Sequence, residues 1–467
     1  MAERILFLTG HLARARLEKV LGGAELGFAW SVLDIGVKVA ALMTEAIIRR
    51  RLPRPVNADR VVVPGRCRAD LARLTAELGV PFERGPDELR DLPAYFGKHG
   101  RDLDLSRHDM RIFAEIVDAS ALSVDAIVAR ARAMRAAGAD VIDLGCLPDT
   151  PFPHLEEAVR ALDQDGIPVS VDSADPDELR RGGRAGARFL LSLTEQTLDI
   201  ATETGAQPVL IPDPHRDLPS LLRAAEAADK RGITAILDPV LDPIHFGFMD
   251  SLSRYAELRR RLPDADILMG TGNLTELTDV DSAGTTAMLL GICSELHIRN
   301  LLVVQVSPHT RRTIQEHDAA RRMMFAARAD ASVPKDYGAA LLALHERKPF
   351  PYAPAEIAEL AREVKDDNFR IEIAEDGIHV YNRHGHHVAQ DAFTLYAKLD
   401  VARDGAHAFY LGAELMRAEV AWRLGKRYAQ DEPLDWGVAV DRAVEDRTRL
   451  REIGHTLRPK TSELPSD

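Results

Sequence analysis

Asp143, Asp172 and Asp238 are the residues of this chain best placed to do chemistry. Asp143 lies within Gly138-Ala139-Asp140-Val141-Ile142-Asp143-Leu144-Gly145, Asp172 ends Ile167-Pro168-Val169-Ser170-Val171-Asp172, and Asp238 follows Ile236-Leu237. Each acid sits in, or directly after, a short apolar run. A carboxylate in such surroundings needs hydrogen-bond donors. A heterocycle with an amino-amide edge supplies two adjacent N–H groups, which suits a carboxylate. A single acid at a strand end is also a common helix N-cap. Asp175, immediately before Pro176, fits that role. The other three fit it less well, because apolar strand residues precede them.

The elements that must present these acids follow a βα period. Strands are expected at 111–117, 141–144, 169–172, 189–193, 208–211, 234–237, 266–269 and 301–306, with helices such as 124–137, 153–163, 176–182 and 218–231 between them. Eight such units in about 200 residues count out a TIM-type (β/α)8 barrel, whose functional side chains gather at the carboxyl ends of the strands. A doubly wound open sheet is the competing architecture. The strand ends would offer Asp118 and Ser120, then Ser192, Thr194 and Glu195, then Asp213, His215 and Asp242, and finally Thr271, Asn273, Gln305, Ser307 and His309.

Flanking segments read differently. Residues 1–105 alternate strand and helix as a small Rossmann-like α/β domain, with a helix expected over 36–51. Residues 106–330 form the barrel. Residues 331–467 begin with period-two runs at 369–373, 377–381 and 387–389 and continue into a helix over 405–424, an α+β domain.

Composition narrows the function classes. A chain of 467 residues with 46% hydrophobic and 28% charged content has room for large cores. Its net charge of −13, with no basic stripe, disfavours nucleic acid as a partner. No apolar run reaches membrane-spanning length. Cys67, Cys146 and Cys293 are widely spaced, as expected of a reducing, cytoplasmic setting without disulfides or a zinc site.

Three smaller clusters have two readings each. Gly65-Arg66-Cys67-Arg68 could hold a phosphate through Arg66 and Arg68, or be a turn with exposed arginines. His379, His384, His386 and His387 suggest a metal, although solvent-exposed hairpin histidines are expected in the absence of fixed ligand spacing. His407, Tyr410 and Glu414 share a helix face that could cap the barrel or dock on a partner subunit. Cys146 has no nearby histidine in sequence and is expected to be inert.

Three of these motifs carry a family resemblance. Gly138-Ala139-Asp140-Val141-Ile142-Asp143-Leu144-Gly145 resembles the "GADIIDIGG" element of dihydropteroate synthases, Val169-Ser170-Val171-Asp172-Ser173 their "SIDT" strand, and Ile236-Leu237-Asp238-Pro239 their "ILDPG". Met269-Gly270-Thr271-Gly272-Asn273 is similar to the "GxSN" strand of the corrinoid and folate methyltransferases that share the pterin-binding barrel. With the flanking segments, the chain resembles the dihydropteroate synthase-related proteins of methanogens and methylotrophs.

That resemblance implies a transferase-like, pterin-binding enzyme of tetrahydromethanopterin-type cofactor biosynthesis. It would join a hydroxymethyl-dihydropterin diphosphate to an arylamine or an arylamine phosphate. A pterin-dependent one-carbon methyltransferase-like protein and a non-catalytic pterin carrier are the alternatives. Asp172, Asp238 and Asn273 would take the pterin edge, Asp143 the pocket floor, with Ser192 and Gln305 lining it. Arg311 and Arg312 could face the diphosphate, Mg2+ could accompany it, and the family implies a homodimer. No residue receives a catalytic role, and Val117-Asp118-Ala119-Ser120 stands where the synthases carry "NxTPDSF".

Overall fold

The computed structural model describes residues 3–441, except 24, 25, 39, 41, 42, 66, 68, 87, 88, 90, 91, 97–103, 149 and 336. It divides into two compact units. One holds the segments Met1–Asp102 and Leu344–Asp435, the other Leu103–Ala343 and Trp436–Arg442. The terminal α/β and α+β segments therefore share one unit.

In the first unit, strands β1 (Arg4–Thr9), β2 (Ala29–Asp34), β3 (Arg60–Val63) and β4 (Phe82–Arg84) make a parallel sheet of order β2-β1-β3-β4. The strand order reverses between β1 and β3. The carboxyl ends of those two strands open on a cavity of about 1320 Å3. The helix expected over 36–51 is only Glu45–Arg51, capped by the Thr44 hydroxyl, which accepts from Ile47 N. Helix cannot extend back to Gly36, because the carbonyls of Val37 and Lys38 accept from His11 N and Leu12 N, the first free N–H groups of helix His11–Gly22.

The second unit is a closed barrel of eight parallel strands. These are β5 (Arg111–Ile116), β6 (Val141–Gly145), β7 (Val169–Asp172), β8 (Phe189–Leu193), β9 (Gln207–Leu210), β10 (Ile236–Leu237), β11 (Asp266–Gly270) and β12 (Asn300–Val303), with β12 pairing β5 to close it. Closure excludes the open sheet. Local signals set the helix ends. Ser123 caps Val124–Ala137, whose far end turns at Gly138 with φ 118°, and Asp175 caps Pro176–Ala185 with proline first. Ile112, Ala114, Ile142 and Leu144 point outward into the layer between barrel and helices. At the amino end of the barrel the fully buried Arg321 donates to Met110 O and Gly138 O and pairs with Asp318 and Asp140.

The remaining strands, β13 (Arg370–Ala374), β14 (Gly377–Asn382) and β15 (Gly385–Ala389), form an antiparallel meander in the first unit, packed with helix Gly405–Leu424. Two expectations are corrected here. His379 is buried rather than solvent-exposed: its Nδ1 meets His386 Nε2 at 2.9 Å and its Nε2 meets Asp376 Oδ1 at 2.8 Å. Glu414 is not a docking residue, since it is buried and accepts from the Tyr428 hydroxyl at 2.7 Å and Arg417 Nη1 at 2.7 Å. Among the described residues no helix is long and apolar enough to cross a membrane.

Candidate functional site

Alternation along the strands decides which side chains face the barrel interior. Phe113, Val141, Phe189, Val209, Ile236 and Leu268 form one buried cluster there, with the Phe113 and Phe189 rings edge to face at 4.9 Å. Two residues further along β5 and β6, the same face presents Glu115 and Asp143. In register, Glu115 lies beside Asp143, Asp143 beside Ser170, and Gly145 beside Asp172. One carboxylate oxygen from each of Glu115, Asp143 and Asp172 lies within 4.8 Å of the other two. Gly145 makes this approach possible, since a Cβ there would stand 2.7 Å from Glu115 Oε1.

The electrostatics of the cluster are dominated by burial. Asp143 is fully buried, and neither of its oxygens has a hydrogen-bond partner. Burial, with Asp172 and Glu115 adding to it, holds its carboxyl well above the usual carboxylate range. Burial raises Glu115 as well. Asp172 is pushed up to about 7, by burial first and by the negative charges of Glu115 and Asp238 second.

Asp238 is held differently. Its Oδ1 accepts from the Tyr255 hydroxyl at 2.7 Å and from Val240 N at 2.8 Å. Burial still outweighs these donors and pushes it to about 6. Oδ2 receives neither bond. The loop that follows is pinned by the buried Asp242, which takes Arg254 at 2.7 Å, His215 at 2.9 Å and Arg216 at 3.2 Å. Tyr255 and Arg254 both come from helix Phe248–Arg261, so one helix sets the position of this strand end.

The other expected site residues lie around the same carboxyl rim. Asn273 follows β11, is exposed, and donates to Leu241 O at 2.6 Å, on the loop after Asp238. Ser192 is the extra residue in β8, where pairing with β9 steps from Leu191–Val209 to Leu193–Leu210. That bulge turns Leu191 inward and Leu193 outward. Gln305 follows β12, donates to Arg311 O at 2.5 Å and leaves its buried Oε1 unpartnered.

The phosphate assignments fare less well. Arg312 does not face an anion site: it donates to Val438 O at 2.8 Å and pairs with Asp441 at 2.9 Å. Arg311 is exposed. Arg66 and Arg68 lie outside the described residues. Burial pushes the Cys146 thiol well up, so it is held as a neutral, inert thiol.

Glu115 and Tyr255 stand at the candidate site and were not anticipated from the sequence. A signal for Glu115 exists, because period two puts it on the face of Phe113. None exists for Tyr255, which reaches Asp238 from 17 residues further along the chain.

Comparison with known proteins gives three kinds of match. Residues 3–87 match the family described as "Family of unknown function (DUF6513)". The chain is 25% identical to "Uncharacterized protein MJ0107" of Methanocaldococcus jannaschii, over 92% of this chain and 98% of that protein. A stretch of 65 residues is 43% identical to dihydropteroate synthase type-2 of Escherichia coli, covering 12% of this chain and 24% of that enzyme.

Solved structures of dihydropteroate synthases also align with about half of the chain. That of Yersinia pestis with a pterine-sulfa conjugate is 20% identical, covering 50% of this chain and 97% of that chain, with a TM-score of 0.37. That of Thermus thermophilus in complex with 6HMPPP is 23% identical, covering 49% and 97%, with a TM-score of 0.35. On the matched segment and the closed parallel barrel, this chain is related to the dihydropteroate synthases.

Proposed function

We propose that the barrel binds a reduced pterin and that the chain is an enzyme of tetrahydromethanopterin-type cofactor biosynthesis. The reaction would condense a hydroxymethyl-dihydropterin diphosphate with an arylamine. The observation that carries the reading is the pair Asp172 and Asp238, one ending β7 and the other following β10 at the carboxyl rim of the same closed barrel. Asp172 engages Cys146 N through its backbone carbonyl at 2.8 Å rather than through its carboxylate, and Asp238 keeps Oδ2 clear of its two donors. Two acceptors at one rim match the adjacent N–H donors of an amino-pyrimidine edge. Charge-assisted bonds of this kind are roughly twice as strong as neutral ones. Asn273 and Gln305 would complete the wall, and the carboxylates would orient the methylene carbon toward the incoming amine. The match to the type-2 synthase segment supports a pterin-binding barrel.

Arg312 favours a second reading, pterin binding without condensation. Its guanidinium is committed to Val438 and Asp441, so the turn after β12 does not offer it to a leaving diphosphate. One experiment separates the two. Purified protein is incubated with the pterin diphosphate and an arylamine, and diphosphate release and pterin affinity are both followed. Release supports the condensation. Saturable pterin binding without release supports the carrier. If Asp172→Asn and Asp238→Asn bind the pterin as tightly as the parent protein, the pocket is elsewhere.

A further inference from the structure

We infer that His215, oriented by the buried Asp242, is the proton acceptor for the amine in the condensation. The inference rests on the reading proposed above and adds a catalytic residue to it. His215 lies on the loop after β9 and Asp242 on the loop after β10, the neighbouring strand of the barrel. The Nε2 of His215 meets Asp242 Oδ1 at 2.9 Å. A carboxylate only accepts, so a neutral imidazole here carries its hydrogen on Nε2 and a lone pair on Nδ1. That Nδ1 has no hydrogen-bond partner among the described residues. The His215 side chain is 53% exposed and that of Asp242 only 4%. A buried carboxylate that fixes the tautomer of a half-exposed imidazole is the arrangement of a general base.

Three observations set the pair apart from a loop clamp. Arg254 takes Oδ2 of Asp242 at 2.7 Å and Arg216 takes Oδ1 at 3.2 Å, so the carboxylate is paired without the histidine. Arg254 and Tyr255 are consecutive on helix Phe248–Arg261, and they hold Asp242 and Asp238 respectively. Asp238 N in turn donates to Leu210 O at the end of β9, so one frame carries both the imidazole and the pterin acceptor. The two loops are also strained. Arg216, Val240 and His245 have φ of 72°, 64° and 67°, three of the seven non-glycine residues with positive φ among those described. Strain of this kind persists where the surrounding fold over-determines a functional geometry. The step balances as follows. The amine lone pair forms the C–N bond to the methylene carbon, the C–O bond breaks and its electron pair leaves with diphosphate, and the proton shed by nitrogen moves to His215 Nδ1 and then to water.

The test uses the full-length protein at pH 8, where Asp172 and Asp238 are ionised. Hydroxymethyl-dihydropterin diphosphate and aniline are supplied, diphosphate release is timed, and pterin affinity is measured separately by calorimetry. His215→Ala is expected to lower kcat by about 100-fold or more with pterin affinity parent-like. Free imidazole is expected to restore its turnover, a response that a packing defect does not give. Proton–nitrogen NMR of the parent protein is expected to find the neutral His215 ring protonated on Nε2. Circular dichroism identifies a variant that fails to fold, and the tautomer then decides. No release by the parent protein overturns the condensation reading and this inference with it. Release by the parent that His215→Ala matches overturns the inference alone. So does a loss that imidazole does not restore, or a neutral ring protonated on Nδ1.

Discussion

Tyr255, fully buried on the outer helix Phe248–Arg261, donates its hydroxyl to Asp238 Oδ1 at 2.7 Å. The helix layer thereby reaches through to a carboxylate at the barrel rim. This bond opposes the effect of burial on Asp238, and burial wins.

Tyr255→Phe tests the relationship. It removes one hydrogen bond to a charged group, worth about 1.5–3 kcal/mol, and leaves the ring packing intact. Stability to urea is expected to fall by roughly that amount. The midpoint for pterin binding against pH is expected to move up by about 1 unit, because the carboxylate loses a stabilising donor. Calorimetric titration at several pH values reads both the affinity and the midpoint.

The pH dependence of the parent protein follows from the same group. Asp238 is raised in the folded chain to about 6, so folding takes up a proton between its ordinary range and that value. Its contribution to stability is present at pH 4 and is lost as pH rises through 6. Asp238→Asn, measured in EDTA by chemical denaturation, is expected to gain about 1–2 kcal/mol over the parent at pH 8 and nothing at pH 4. Pterin affinity in the parent moves the opposite way, strengthening as pH rises through about 6 to 7 and the two acceptors, Asp238 and Asp172, ionise.

Gly145 is expected to be irreplaceable for a steric reason. A Cβ would stand 2.7 Å from Glu115 Oε1, 3.1 Å from Val117 Cα and 3.2 Å from Ile116 O. Gly145→Ala must move either the Glu115 carboxylate or the neighbouring backbone, at a cost of about 1–3 kcal/mol. We expect a lower thermal midpoint, read by circular dichroism. A parent-like thermal midpoint in this variant would show that Glu115 and the neighbouring backbone are not held where the structure places them.

Arg321 tests the opposite end of the barrel. Its side chain is 2% exposed, paired with Asp140 and Asp318 and bonded to two carbonyls. Arg321→Ala removes the buried partner of Asp140 and Asp318, which keep Ile112 N and Arg322, and is expected to cost about 3 kcal/mol, the low end for breaking a buried pair. The rim is untouched, so pterin affinity measured well below the melting temperature should stay parent-like.

Much of this architecture is legible in the residues themselves. Apolar runs near 141, 169, 189 and 208, separated by helix-forming stretches, mark the βα period, because a parallel barrel buries each strand on both faces. Asp143, Asp172 and Asp238 are visible for a related reason. An acid placed within such a run has no ordinary structural use. The helix over Gly405–Leu424 is equally local, set by its Asp404 cap and its Gly425 end. The helix expected over 36–51 fails because partners distant in sequence, His11 and Leu12, claim its first carbonyls.

What sequence alone determined was the list of strands and the acids riding on them. The barrel's closure determined the rest. Register across β5, β6 and β7 brings Glu115, Asp143, Ser170 and Asp172 into one small volume, and no pattern within any single strand contains that juxtaposition. Folding also removed Arg312 to Val438 and Asp441, and buried His379 against His386. The physical reason is common to all of them. Periodicity is a property of a few consecutive residues, whereas desolvation and pairing depend on which groups converge in space. Those contacts exist only once the strands have closed on one another.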